Sequence, residues 1–171
     1  QAGTAAVATD GNIVYPGGLP GADVVQRPTG DGAEDWLLFA APPSAPRVEY
    51  DVALTSGVAS IRLVGRSVEL LDAGGVPRLR MAPPVLVDDD CVTTPVEVAV
   101  TGCQVDTSPS DPRRRPHPAP GASSCRIALT WPSQKVKYPI ALDPSWSSAA
   151  SMVVSARVKH TPPCSMPPEL K

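Results

Sequence analysis

The chain has 171 residues, enough for one well-buried domain and too few for two large ones, since domains commonly run to about 100–150 residues. With 42% hydrophobic residues and a formal charge of −2 it can bury a core without self-repulsion, and its 22 prolines and 13 glycines stay below the share that marks low-complexity disordered chains. A pI near 5.6 argues against a nucleic-acid binder, which needs a basic face to replace phosphate counterions, and no apolar stretch approaches the ~20 residues that span a bilayer.

Only 4% of residues are aromatic, so the core must be built mostly from Val, Leu, Ile and Ala. Gln1 to Thr9 has neither the basic nor the apolar region of a secretory signal, which leaves a cytosolic chain or one whose signal has been removed. Residues 1–11 are read as a flexible leading segment. Beyond them, prolines recur so often that few windows leave the 10–12 uninterrupted residues that a globular helix needs, and the main exception, residues 47–76, reads as strands. Ala22 to Gln26 and Asp35 to Ala40 read as strands, the second with Trp36, Leu38 and Ala40 on one side.

Val48, Tyr50, Val52 and Leu54 alternate with Glu49, Asp51 and Ala53 at the period of a half-buried strand. Val58 to Val64 and Ser67 to Leu71 form a hairpin pattern around Gly65-Arg66, followed by a turn at Asp72-Ala73-Gly74-Gly75. Arg78 to Met81 and Val85 to Val87 are short strands divided by Ala82-Pro83-Pro84. Further alternation marks Val96 to Val100, Ile127 to Trp131 and Tyr138 to Leu142. About ten short strands with turns every 8–12 residues predict an all-β chain: a single antiparallel β-sandwich-like domain over residues 12–148.

Four cysteines, Cys91, Cys103, Cys125 and Cys164, allow three full pairings. Cys103 follows one strand and Cys125 opens the next, with a proline-rich excursion at 107–124 between them, and this pairing is favoured. It would close a loop of about 20 residues, contribute roughly 3 kcal/mol, and imply an oxidising compartment. Cys91 with Cys164 would be the second bridge; four free thiols in a cytosolic chain are the alternative. No Cys-x-x-Cys occurs, and His117 and His160 lie at no ligand spacing from a cysteine, so no zinc site or other metal cofactor is expected.

Nucleophilic catalysis needs a Ser or Cys beside an oriented His. His117 stands between prolines, His160 runs into Pro162-Pro163, and there is no Gly-x-Ser-x-Gly elbow. Glu49, Asp51, Glu69 and Glu97 fall on the outward strand register and read as solvated. Asp88, Asp89 and Asp90, with Asp31, Glu34 and Asp35, could offer oxygen ligands to Ca²⁺, but without the Asp-x-Asp-x-Asp-Gly pattern they read as an acidic turn. Pro16 to Gly21 lacks the Lys-Ser/Thr of a phosphate loop, and Arg113-Arg114-Arg115 reads as a solvated loop. Trp36 and Trp131 alternate with core aliphatics, which leaves Trp146 as the candidate surface platform for a sugar.

Tyr138-Pro139-Ile140-Ala141-Leu142-Asp143-Pro144-Ser145-Trp146, followed by Ser151-Met152 and Ala156-Arg157-x-x-His160-Thr161, resembles the junction at which the N-terminal β-rich domain of secreted myxobacterial proteins meets kelch repeats. Tyr15 with Pro20 to Val25, Glu34-Asp35-Trp36, Leu70 to Arg80, Pro83-Pro84 with Val87-Asp88, and Val100-x-Gly102-Cys103-x-Val105-Asp106 agree with it, over roughly residues 12–161. The resemblance implies a secreted or cell-envelope module beside a propeller, and cysteines at Cys103 and Cys125. After Thr161 the pattern departs into Pro162-Pro163-Cys164-Ser165-Met166-Pro167-Pro168, so residues 149–171 read as a kelch-like remnant with no blade. The expectation is a non-enzymatic structural or interaction module without cofactor, whose partner is a protein or glycan at the cell surface. A carbohydrate-binding sandwich, with Trp146 and Asp88–Asp90 as its binding residues, is the first rival, and a carboxylate-pair hydrolase the second.

Overall fold

Alternating side chains and frequent turn residues give fourteen strands in the computed structural model, which describes residues 5–55 and 57–148. In chain order these are β1 (Val7–Thr9), β2 (Asn12–Leu19), β3 (Ala22–Pro28), β4 (Gly32–Phe39), β5 (Arg47–Ala53), β6 (Ser60–Val64) and β7 (Ser67–Leu71). They continue as β8 (Pro77–Met81), β9 (Val85–Asp88), β10 (Thr93–Pro95), β11 (Glu97–Thr101), β12 (Ser124–Thr130), β13 (Ile140–Asp143) and β14 (Ser145–Ser148). There is no α-helix among the described residues; single 3-10 turns occur at Pro112–Arg114 and Ser133–Lys135. All strand pairs are antiparallel, and the fold is the β-sandwich-like arrangement that the sequence predicts.

The smaller sheet has the order β11-β12-β5. The larger runs β1-β2-β3-β4 and then divides, because β4 pairs with β13 through Leu37–Phe39 and with β14 through Gly32–Glu34. Two proline breaks make this fork. Pro144 separates β13 from β14, and Ala82-Pro83-Pro84 separates β8 from β9, so β13 continues into β9 and β10 while β14 continues into β8, β7 and β6. Proline has no N–H to give a ladder, so a break in both neighbouring strands at one level lets the sheet part there. Pairing resumes at once, the Ala82 N–H donating to the Ser145 carbonyl at 3.0 Å, and both Pro84 and Pro144 are fully buried. Gly32 has no space for a side chain, since a Cβ would run into the backbone of Trp146 and Ser147.

The core lies between the sheets. Val48, Ile127 and Leu129 from the smaller one pack with Leu37, Phe39, Ile61, Val68, Leu70, Met81, Leu86, Ile140 and Leu142 from the larger. Each such side chain contributes about 1.5–3 kcal/mol on burial. Phe39 and Trp131 meet with centroids 5.6 Å apart.

Several expectations need correction. Strand β1 lies within the segment read as flexible, and β2, β10 and β14 add strands that the pattern does not show. Strand β2 hides behind Pro16-Gly17-Gly18, where its pairing with β3 is irregular between Tyr15 and Leu19 and the Gly17 N–H donates to the Asp23 carboxylate. On β4 the core face is Leu37 and Phe39; Leu38 is buried on the opposite side, Trp36 is half-buried and Ala40 is exposed. Glu69 is not solvated: all five residues of β7 are buried, because the excursion after Cys103 covers the outer face of β6 and β7.

That excursion is stitched down as a flap. The Cys103–Cys125 disulfide closes its base, and the Gln104 N–H donates to the Pro120 carbonyl at 2.7 Å. The Asp106 backbone closes the free edge of β6, donating to Ile61 O and accepting from Leu63 N–H, each at 2.9 Å. The buried Arg62 guanidinium donates to the carbonyls of Ser108, Pro109 and Ser110 and pairs with Glu69 at 2.6 Å. Arg115, expected to be solvated, instead pairs with the buried Asp106 at 2.6 Å, while Arg113 and Arg114 do remain exposed. Farther along, the backbone of Pro112 abuts Gly75, which has φ +74° and no room for a Cβ.

Removing Arg62 takes away the close partner of the buried Glu69, leaving Arg80 at 3.9 Å, and frees three carbonyls. Arg62→Ala is expected to cost about 3–5 kcal/mol in urea unfolding. The double replacement Cys103→Ser, Cys125→Ser is expected to cost about 3 kcal/mol, the entropy released when a cross-link 22 residues apart is lost from the unfolded chain.

Candidate functional site

The expected binding residues do not converge. Asp88 is buried and folds the turn after β9, its Oδ1 accepting from the N–H groups of Asp90 at 3.1 Å and Val92 at 2.9 Å. The turn passes through Cys91 at φ +63°. Asp89 and Asp90 are exposed, and Lys137 binds Asp90 at 2.8 Å; its ammonium is pushed above its usual range by that hydrogen bond and by the neighbouring carboxylates. Among the described residues no group of three or more His, Cys, Asp and Glu is placed to hold a metal ion. The acidic triplet is a turn, as its spacing suggests.

Trp146 is half-buried rather than a surface platform. It lies opposite Ala33 and Met81 and reaches across the sandwich to Tyr50, with centroids 6.2 Å apart and planes inclined at 71°. All seven aromatic side chains are buried or half-buried. Cys103 and Cys125 are joined. The expected partner of Cys91, Cys164, falls outside the described residues, as do His160 and the kelch-like segment; no described cysteine is free.

Two further features lie between the sheets. The first is a polar group behind Trp146. Asp35 shares the inward parity of Leu37 and Phe39 on β4, and the Gln26 side chain donates to it at 3.1 Å from β3. Burial raises its carboxyl above the usual value, and the Gln26 hydrogen bond offsets this only in part. The Tyr50 hydroxyl is buried with no hydrogen-bond partner among the described residues; its burial, and then the charge of Asp35, raise its pKa as well.

The second is an open cleft of about 570 Å³ at one end of the sandwich. Leu19 and Pro20 from the β2–β3 turn form one wall, Phe39 and Val48 the floor, and Pro43, Ser44 and Ala45 from the β4–β5 loop the other wall. Arg47 and Glu49, adjacent outward positions on β5, stand at the cleft as an ion pair. The prolines stiffen both loops by fixing φ, so the cleft is largely formed before anything enters it. Its lining is mostly apolar with one charged pair beside it, which suits an extended apolar segment better than a charged or strongly polar ligand.

No family model, curated protein or solved structure matches this chain. Among the described residues, no helix is long and apolar enough to cross a membrane. The cleft has no linear signature, since its two walls come from separated stretches of the chain, the β2–β3 turn and the β4–β5 loop. Asp35 does have one: strand parity places it with Leu37 and Phe39 once those are taken as the core face.

The pH dependence of Asp35 is set by the direction of its shift. A folded-state value above the unfolded 3.8 means stabilisation that is complete below that pH and is lost as pH rises through the raised value. Asp35→Asn keeps an oxygen for Gln26 and removes the charge. It is expected to melt above the parent at neutral pH, with the difference vanishing in thermal scans run below pH 3.8.

Proposed function

We propose that this chain is a non-enzymatic interaction module of the cell surface or envelope that holds an extended apolar segment of a partner protein in the cleft between the β2–β3 turn and the β4–β5 loop. The observation that carries this reading is the cleft itself, walled by Leu19, Pro20 and Pro43 over Phe39 and Val48, with the Arg47–Glu49 pair beside it. Buried aliphatic and aromatic contacts provide most of the energy in such grooves, and a charged pair beside them fixes orientation.

The exported location is supported by the Cys103–Cys125 bridge, which persists in oxidising compartments. It is supported too by the resemblance of residues 12–161 to the leading domain of secreted myxobacterial kelch-repeat proteins. In that setting the domain would be a support and docking element beside a propeller. The carboxylate at the cleft, Glu49, is engaged with Arg47 and Arg126, an arrangement of rim structure rather than of proton transfer. A sugar-stacking platform would need exposed rings, and the aromatic side chains here are buried or half-buried.

Binding of the fluorescently labelled chain to myxobacterial envelope fragments tests this. Leu19→Arg, at a partly exposed wall position, is expected to weaken binding at least about tenfold while circular dichroism is unchanged, a loss of about 1.4 kcal/mol. Protease treatment of the fragments should abolish binding and periodate treatment should spare it. The opposite pattern would assign the cleft to a glycan, and equal binding by parent and Leu19→Arg would remove the cleft from the interaction.

A further inference from the structure

Every open sheet must deal with the unpaired N–H and C=O groups along its outermost strands, which will otherwise recruit another chain. Among the described residues the outermost strands are β1, β10 and β6 of the larger sheet and β5 and β11 of the smaller. Four of them are blunted. Strands β1 and β10 have three residues each, and β10 ends in Pro95. The edge of β6 is closed by the Asp106 backbone of the flap. Strand β5 carries Arg47, Glu49 and Asp51 on its outward face.

Strand β11 has none of these devices. It is five residues long, contains no proline, and pairs with β12 in unbroken register from Glu97↔Thr130 to Thr101↔Arg126. Its sole charged residue, Glu97, is at one end. Its outward positions, Glu97, Ala99 and Thr101, are exposed, and its inward ones, Val98 and Val100, are only partly covered at the margin of the core.

The strand is also complementary to itself. A two-fold axis through Ala99, perpendicular to the sheet, sets two copies antiparallel with Ala99 opposite Ala99, Val98 opposite Val100, and Glu97 opposite Thr101. No like charges meet, and the four valines cover one another's open side. The same operation on β5, about Tyr50, would place Glu49 opposite Asp51 twice, so the two edges of this sheet differ in what they permit. We propose that β11 is a homodimerisation edge, at which two copies of this chain join their three-stranded sheets into one of six strands, β5-β12-β11 continuing into the partner's β11-β12-β5. This does not rest on the cleft's being a binding site, because a dimer forms or fails whatever the cleft holds.

Two single substitutions on the exposed face give opposite outcomes. Ala99→Lys sets two ammonium groups against each other across the axis, whereas Thr101→Lys sets each ammonium opposite Glu97 of the other copy. Sedimentation velocity of the full 171-residue chain, from micromolar to near-millimolar concentration, should show a monomer–dimer equilibrium. Ala99→Lys should weaken the dimer at least tenfold and Thr101→Lys should tighten it severalfold. Hydrogen exchange of the amides at 97–101 in the parent chain should slow as concentration rises, a readout that needs no variant to fold. A monomer at every concentration would overturn the proposal, as would two lysine variants that shift the equilibrium in the same direction. Concentration-independent protection of these amides would overturn it too, by assigning the edge to another part of the same chain.

Discussion

The larger sheet can keep a strand buried on both faces because the Arg62 guanidinium, with Arg80 beside it, answers for the polar groups on the outer side. Strand β7 carries Glu69 at its centre, and a carboxylate there is tolerable only when charge and hydrogen bonds compensate its loss of water. Arg62, directly opposite it on β6, does so, and its remaining donors reach three carbonyls of a segment that has no ladder of its own. Charge pairing, flap docking and closure of the β6 edge are thus one event. Asp106 repeats the logic a short distance away. Its burial works against the carboxylate form, but Arg115, the Ser108 N–H and Arg62 more than offset that and hold its carboxyl below the usual range.

The fork in the same sheet has an equally local cause. Prolines in two neighbouring strands, at the level where Ala82 meets Ser145, interrupt the ladder in both without leaving a buried N–H unpaired. Past each break the chain pairs with a new neighbour. Strand β4 serves both branches, and its antiparallel register with β3, Asp23 opposite Leu38, brings the β2–β3 turn beside the β4–β5 loop with the cleft between them. The cleft is therefore a product of strand register rather than of any one loop.

Much of the fold is legible in the sequence because period-two alternation is local. Strands β5, β11 and β12 show it, and the Cys103–Cys125 bridge can be placed from the proline-rich stretch that it closes. The failures have non-local origins. Ser145-Trp146-Ser147-Ser148 has no aliphatic alternation and is a strand because Ala33 and Met81 flank it. Glu69 has an outward register, but a segment some forty residues later covers that face. Asp35 reads as a surface ligand when the larger Trp36 is taken to define the core side of β4, whereas Leu37 and Phe39 define it. No linear pattern could mark the cleft, whose walls are far apart in the chain.

The position of the disulfide has one more consequence. Arg113 and Arg114 are the most exposed guanidiniums of the flap, at 63% and 88%, and stand in a segment free of strand structure, where trypsin-like enzymes cut. A cut between them would separate Cys103 from Cys125 along the backbone but not through the bridge. The two fragments would stay covalently joined and keep every core strand. Such a cut would turn the domain into a two-chain molecule held by one covalent bond.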